Sequence, residues 1–490
     1  MKLVEGNLQA IADNQPVLVP NYDRATLTAG IVHIGVGNFH RAHQAWYLQR
    51  LLAKGLNQDW AIVGAGVRPN DEVMRQKLQQ QDYLTTLIEL SPASRRAEII
   101  GSMIDYVPVA ADNAPLIARM AQADIRIVTL TVTEGGYYID PASKGFAVSH
   151  ADIIHDAENP DTPVTAFGAI IAALKRRRDS GIGPLTLQSC DNLQGNGNIL
   201  RQTVIALATL SDPELAAWIN QHCSFPNSMV DCIVPATGDN ERNLARELGL
   251  EDAVPVTHED FRQWVIEDNF CAGRPDWDRV GATFSHNVHA YETMKIRVLN
   301  GGHQIIAAAG DLLGIETISQ SIAHPLIAAL FDKVEREEII ANVTAVPEYT
   351  PEAYLALIKA RFANPAIVDT TRRVAFDGSS RQPGFILPSV RDTLRRGGSV
   401  SGLALVSAIW ARYCQGIRED DSEIEANDPY WPDLQKRALQ AKQSPQRWLD
   451  NTLIYGDLGN NPAFSQAFIK WLTMLNDSGL SQTLSHYLDT

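Results

Sequence analysis

GIVHIGVGNFHRAHQAWYLQRLL, residues 30–52, decides how the first half of the chain is read. Gly30-Ile-Val-His-Ile34 is a short apolar run of strand character. Gly35-Val-Gly37 follows as a turn, and Gln44–Leu52 repeats its apolar residues at helical spacing. Strand, glycine turn and helix in that order are the context that a phosphate-binding loop needs. The glycines let backbone N–H groups approach a pyrophosphate, and the helix N-terminus favours its charge. The pattern is incomplete, because His40 stands where G-x-G-x-x-G has its third glycine. A simple tight turn is the competing reading, although His40, Arg41 and His43 make the helix entry rich in functional side chains.

Working outward, residues 1–29 read as a polar surface lead-in. A second strand, Trp60–Gly64, runs into Ala65-Gly-Val-Arg-Pro-Asn-Asp71. Asp71 fits two roles: the acid that grips an adenosine ribose, and the cap of a helix starting near Glu72. Arg68 beside it leaves a phosphorylated ribose open. Tyr83–Leu90 and Ala97–Val107 have strand character, and Asn113–Ala121 has helical character. Ile125–Val132 is a strong β run ending in Thr133-Glu134-Gly-Gly-Tyr-Tyr138, and Pro184–Ser189 ends in Cys190-Asp191-Asn192. Polar residues directly after buried strands are where an open α/β sheet binds ligands. Asp231 falls in an irregular stretch.

After Gly281 the β runs thin out and helical periodicity dominates. The chemistry is expected in Lys295-Ile-Arg-Val-Leu-Asn-Gly-Gly-His303. On an α-helix at about 100° per residue, His303 lies about 80° from Lys295 and Asn300 about 140°, one broad face. A lysine serves as general base when burial or a nearby cation lowers its pKa. An asparagine amide can hold a developing alkoxide. Gly301 and Gly302 weaken a helix, and their missing side chains would admit something large, such as a cofactor ring. Further on, Arg373 and Arg381 lie in a charged stretch, Asp369–Arg381, with the spacing to line a polar pocket or to end a solvated helix.

Composition narrows the class. The chain has 490 residues, 45% of them hydrophobic, so two or three domains are expected. A formal net charge of −15 argues against nucleic-acid or anionic-membrane binding. The one basic run, Lys175–Arg178, reads as the last turn of a helix with Gly181 beyond it. Five scattered cysteines, with no CxxC and no HExxH, argue against a disulfide framework or structural zinc. The sequence shows neither a signal-peptide h-region nor an apolar run long enough to span a membrane, so a cytoplasmic globular protein is expected.

Six segments together resemble the polyol-specific long-chain dehydrogenases, above all their mannitol branch. They are IVHIGVGNFHRAHQAWY (31–47), TVTEGGYY (131–138), SCDN (189–192), FPNSMVD (225–231), YETMKIRVLNGGH (291–303) and RRVAFDGSSR (372–381). The resemblance implies an α/β chain with a Rossmann-type N-terminal domain, residues 1–285, and a mainly α-helical C-terminal domain, residues 286–490. It implies NAD as cofactor, a metal-free reaction, and a small polyol or ketose as the partner, with no nucleic acid, membrane or obligate protein partner. Lys295 would be the base, Asn192 and Asn300 the oxyanion donors, and His303 the substrate-positioning group. Glu292 would pass the proton on. Asp231, Arg373 and Arg381 would contact substrate hydroxyls, and Gly35, Gly37, Asn38, Phe39, Arg41, Asp71 and Glu134 the cofactor.

Three departures from the family stand out. Cys232 replaces an arginine, Asn70 stands where relatives carry a second acid, and Arg381 replaces a lysine. The expected reaction is D-mannitol to D-fructose. Alternatives are another polyol such as D-arabinitol or D-sorbitol, a fructuronate or tagaturonate reductase, and a silent sugar- or NAD-binding regulator.

Overall fold

Ala29–Ile34 is buried at every residue, and the first half of the structure is built outward from it. The computed structural model describes residues 1–140 and 145–490; the Glu134 side chain lies outside what it describes. The chain divides into two units, Met1–His289 and Ala290–Thr490.

In the first unit, β1 (Ala29–Ile34), β2 (Ala61–Ala65), β3 (Met103–Tyr106), β4 (Ile127–Leu130) and β5 (Thr186–Ser189) form one sheet. Its order is β3-β2-β1-β4-β5, and every pairing is parallel. Parallel strands need both faces covered, and the side chains divide accordingly. Val32, Ile34, Val63, Val128 and Leu130 join one core with residues of the helices Ala166–Asp179 and Asn196–Ser211. Ile31, Ile62 and Ile127 join the other with Tyr47, Leu48 and Leu51 of the helix Gln44–Leu52. The strand order reverses between β1 and β4, and such a switch point opens a crevice at the carboxyl ends of the strands.

Three expectations need correction here. Ala97–Val107 is two strands in two sheets: Arg95–Ile100 belongs to a four-stranded sheet with Val17–Leu18, Thr85–Leu90 and Val256–Glu259, whereas Met103–Tyr106 is β3. The break has a cause. Buried Arg24 donates to the carbonyls of Gly101 (3.0 Å) and Met103 (2.9 Å), and Gln49 Oε1 accepts from Gly101 N–H (3.0 Å). The lead-in is not merely surface: Leu3, Ile11 and Val17 pack with Leu84, Ile88, Ile99 and Leu250. Asp231 is not in irregular chain but ends the strand Ser228–Asp231, antiparallel to Gln263–Ile266. The basic run does close a helix, with Gly181 at φ +68° beyond it, but Arg177 is buried and donates to the carbonyls of Met120, Gln122 and Gly183.

The second unit is helical. Gly301–Leu312 is buried along almost its whole length, as expected of a helix that is apolar all round. It packs against Ile318–Ala323, Pro325–Val334, Thr371–Ala375 and Ser401–Tyr413, and the last of these lies along Pro462–Leu488. Among the described residues three stretches widen into π-helix: Lys295–Asn300, Glu335–Ile339 and Gln382–Ile386. The first contacts both of the others.

Glu338, inside the second π-turn, accepts from the Gly402 and Leu403 N–H groups at 2.6 and 2.8 Å, capping Ser401–Tyr413. Burial outweighs those bonds and pushes its pKa from 4.5 up to about 7. The folded state therefore binds this proton more tightly than the unfolded chain. The contribution is fully present below pH 4.5 and is lost as pH rises through about 7, on the order of 3 kcal/mol in all. Glu338→Gln is expected to flatten the fall of thermal stability between pH 4.5 and 7, measured by calorimetry against the wild type.

Candidate active site

The crevice side of the first unit is made by the turns after β1, β2, β4 and β5. Gly35 has φ +96°, and a Cβ there would lie 2.2 Å from the Thr131 carbonyl oxygen. Glycine is thus required twice over, for backbone conformation and for the approach of the β4 turn. A Cβ on Gly37 would meet nothing within 4 Å, so the loop is open on that side. Asn38, which begins the helix Asn38–Ala42, contributes one of the first N–H groups that a helix leaves without an internal partner. Open space, glycine and unpaired N–H groups fit a pyrophosphate.

Several of the expected cofactor residues have side chains engaged within the protein. Arg41 is turned inward, donating to Gly37 O, Val254 O and Asn38 Oδ1 (2.7 Å), and burial lowers its pKa to about 10. Its guanidinium braces the loop and is not offered to a phosphate. Asn38 is committed too, donating to Pro235 O and Thr237 Oγ1 at 2.9 Å each. Phe39 stacks on His43 with ring centres 4.8 Å apart. His40 stacks on His33 at 3.5 Å, and burial holds both well below the usual imidazole range. His33 itself sits between the hydroxyls of Thr129 (2.7 Å) and Thr131 (2.9 Å), joining β1 to β4 at the switch point.

Asp71 performs the capping role. Its Oδ2 accepts from Val67 N–H (3.0 Å) and Arg68 N–H (2.9 Å) at the start of Pro69–Gln79. The carboxylate folds so closely over Gly66 that a Cβ there would lie 2.5 Å from Oδ2.

Asp191, which sequence reasoning noted only as part of a polar cluster, is the hub of the β4 and β5 turns. It accepts from Val132 N–H (3.0 Å), Thr133 N–H (2.9 Å) and the Tyr137 hydroxyl (2.7 Å). Asn196 Nδ2 donates to the carbonyls of Asp191 (3.1 Å) and Ser228 (2.8 Å), fixing the far end of the β5 turn. Asn192 is exposed on the turn so held, and Asp231 is buried at the end of its strand. The expected role of Glu134 rests on a side chain outside the described ones.

In the second unit, Lys295 opens the π-turn and Asn300 closes it. Widening the helix to i→i+5 bonding reduces the rotation per residue, so Asn300 comes to roughly 40–70° from Lys295 instead of about 140°. Three residues on, His303 returns to within roughly 40° of the lysine, and the trio shares a narrow face. Lys295 and Glu292 are both buried. Arg297 points elsewhere, 2.9 Å from Asp392. Asn300 Oδ1 is sealed from solvent with no hydrogen-bond partner in the structure, and so is His303 Nε2. His303 keeps some exposed surface, but its ring stacks on Phe362 at 4.2 Å, and burial drives its pKa down to about 4. It is therefore neutral at physiological pH.

Gly302 admits protein, not ligand: a Cβ there would meet Phe331 at 2.8 Å, Glu335 at 3.2 Å and Phe362 at 3.3 Å. Glu335 is wholly buried, and burial raises its carboxyl well above the usual carboxylate range. Arg373 is held by Asp369, and Arg381 donates to Val374 O, which also accepts from Gln304 of the lysine helix (3.1 Å). His303, Arg373 and Arg381 are close enough to interact electrostatically. Among the described residues, no group of three or more His, Cys, Asp or Glu side chains is placed to hold a metal, and no helix is long and apolar enough to cross a membrane.

The profile of the mannitol dehydrogenase Rossmann domain matches residues 29–279, and that of the mannitol dehydrogenase C-terminal domain matches residues 287–475. The chain belongs to the mannitol dehydrogenase family. It is 55% identical to a mannitol 2-dehydrogenase of Cereibacter sphaeroides, over 96% of this chain and 98% of that one. It is similar to the Pseudomonas fluorescens mannitol 2-dehydrogenase, solved as a ternary complex with NAD and D-mannitol: 39% identity, TM-score 0.91, full coverage of both chains. A D-sorbitol dehydrogenase solved in substrate-free form shares 31% identity at a TM-score of 0.87, over 99% of this chain and all of that one.

Gly35→Ala places a methyl group against Thr131 O in a backbone conformation alanine avoids. It is expected to destabilise the first unit by more than about 1 kcal/mol, read by urea unfolding, and to weaken dinucleotide binding at least tenfold, read by calorimetric titration.

Proposed function

We propose that this protein is an NAD-dependent mannitol 2-dehydrogenase that interconverts D-mannitol and D-fructose. The observation that supports the reading is the π-turn Lys295–Asn300, because i→i+5 bonding turns less per residue and so favours one face for Lys295, Asn300 and His303. A 39% identical relative solved with NAD and D-mannitol supports the choice of both ligands.

In this reading NAD, when bound, supplies the hydride acceptor. Lys295, buried in the helix, takes the proton of the alcohol oxygen as the carbon beneath it is oxidised. Asn192 and Asn300 donate amide N–H groups to the oxygen as charge develops on it. Neutral His303 holds a substrate hydroxyl without adding a charge that would lower the basicity of the oxygen. Glu292, one helical turn before Lys295, passes the proton on. Asp231, Arg373 and Arg381 pair with the remaining hydroxyls. A polyol lacking one of these leaves polar groups unpaired, which is how such a site tells configurations apart.

The cofactor is assigned to residues 1–285 and the catalytic helix to 286–490. At the cofactor, Gly35, Gly37, Asn38 and Phe39 act through backbone shape and N–H groups, Arg41 by bracing the loop, and Asp71 and Glu134 as acids near the ribose and the β4 turn. The similar D-sorbitol dehydrogenase keeps a second polyol in view.

NADH oxidation by purified protein with D-fructose, D-xylulose, L-sorbose, D-fructuronate and D-tagaturonate tests the assignment. D-fructose is expected to be preferred; preference for a keto-uronate would move the protein to the hexuronate branch. Lys295→Ala is expected to lower turnover by about two to four orders of magnitude while NADH still binds. Near-normal turnover would remove Lys295 as the base. Asp71→Asn retains a capping oxygen and removes the charge, so the NADP/NAD activity ratio should rise with little change in melting temperature. An unchanged ratio would leave Asp71 with its capping role alone.

A further inference from the structure

Asp369 is nearly sealed from solvent at 5% exposure, and its carboxylate meets the Arg373 guanidinium at two points. Arg373 Nε donates to Oδ1 and Nη2 to Oδ2, both at 2.6 Å. The two residues are four apart, Asp369 just ahead of the helix Thr371–Ala375 and Arg373 within it, and their backbone is fixed on both sides. Asp369 N–H donates to Ile367 O, its carbonyl accepts from Ile318 N–H, and Thr370 Oγ1 caps the helix that carries Arg373. The arginine side chain remains 59% exposed, so a buried acid holds an outward-facing cation in a set orientation.

The surroundings make the charge of Asp369 matter. His303 feels Arg373, Arg361 and Arg381 as cations and Asp369 as the opposing anion. With Asp369 in place the Arg373 pair is neutral. Without it, the Arg373 guanidinium would stand without its counter-charge near a neutral imidazole and would favour an anionic ligand.

We propose that Asp369 is a specificity-determining positioning residue: it orients Arg373 for a substrate hydroxyl and cancels its charge, so that the site takes neutral polyols and ketoses and discriminates against sugar acids. The inference rests on the reading above that Arg373 faces the substrate. A uronate carboxylate approaching Arg373 would also approach the carboxylate behind it, and like charges brought together in a partly desolvated site select strongly against the partner.

The test compares kcat/KM for D-fructose and D-fructuronate, with NADH, in the wild type, Asp369→Asn and Asp369→Glu. Asp369→Asn is expected to raise the fructuronate/fructose ratio about tenfold or more, with the KM for D-fructose rising more than kcat falls and NADH affinity unchanged. Asp369→Glu keeps the charge and shifts its position, so D-fructose KM should rise while the ratio stays within about threefold of the wild type. A purely structural role would lower both activities together and leave the ratio unmoved in both variants; that result overturns the proposal.

Arg373→Gln covers the case in which Asp369→Asn does not fold. Losing the cation alone leaves the acid uncompensated, so the ratio should fall, and adding Asp369→Asn should restore it. Equal ratios in Arg373→Gln and the double variant would overturn the proposal. A wild-type enzyme that reduces neither ketose would reject the proposed function itself. One that reduces D-fructose while the ratios stay fixed would reject only the role of Asp369.

Discussion

The widened turn at Lys295–Asn300 is the constraint on which the catalytic reading depends. An α-helix cannot put residues at i, i+5 and i+8 on one narrow face; one turn of i→i+5 bonding can. Such a turn loosens the backbone ladder, so its neighbours must hold it. Two further π-turns contact it, and Gly302 lets Phe331, Glu335 and Phe362 press against the helix just beyond. One of them, Glu335–Ile339, carries two buried acids, Glu335 and Glu338, whose pKa values are both raised by burial. Polar groups are therefore buried around the site, where they limit how the helix can relax.

The first unit meets a comparable demand by different means. Its binding edge consists of turns, which are mobile unless tied down. Here buried polar side chains tie them. Arg41 links the glycine turn to Val254, His33 bridges β1 and β4, and Asp191 gathers three donors from the β4 turn. Almost all these bonds run from side chain to backbone or between buried side chains, so the loop shape is set before any ligand arrives.

Much of this was legible in residues 30–52, because a buried parallel strand, a glycine turn and an amphipathic helix each leave a distinct periodicity. The chemistry of Lys295–His303 was visible as residue types but not as geometry. A hydrophobic pattern read at 3.6 residues per turn has no mark for one extra residue in a turn. The direction of a side chain was equally hidden: Arg41 looks like a phosphate ligand by position, and only the partner carbonyl of Val254, more than 200 residues away, turns it inward. The break at Gly101 depends on Arg24 and Gln49, which local propensity cannot see. Asp369 left a local sign, an acid four residues before an arginine, but the structure sets that acid just ahead of the helix and not on its face.

The four-stranded sheet of the first unit has an effect on how the chain is made. Its strands come from residues 17–18, 85–90, 95–100 and 256–259. On a ribosome, the hairpin of 85–100 emerges long before Val256–Glu259, so one edge of Thr85–Leu90 stays unpaired while more than 150 further residues are synthesised. An unpaired strand edge is a template for intermolecular pairing, and a closure that joins distant parts of the chain is slow. The nascent first unit is thus most exposed to aggregation between translation of these two segments, and slower synthesis would lengthen that interval.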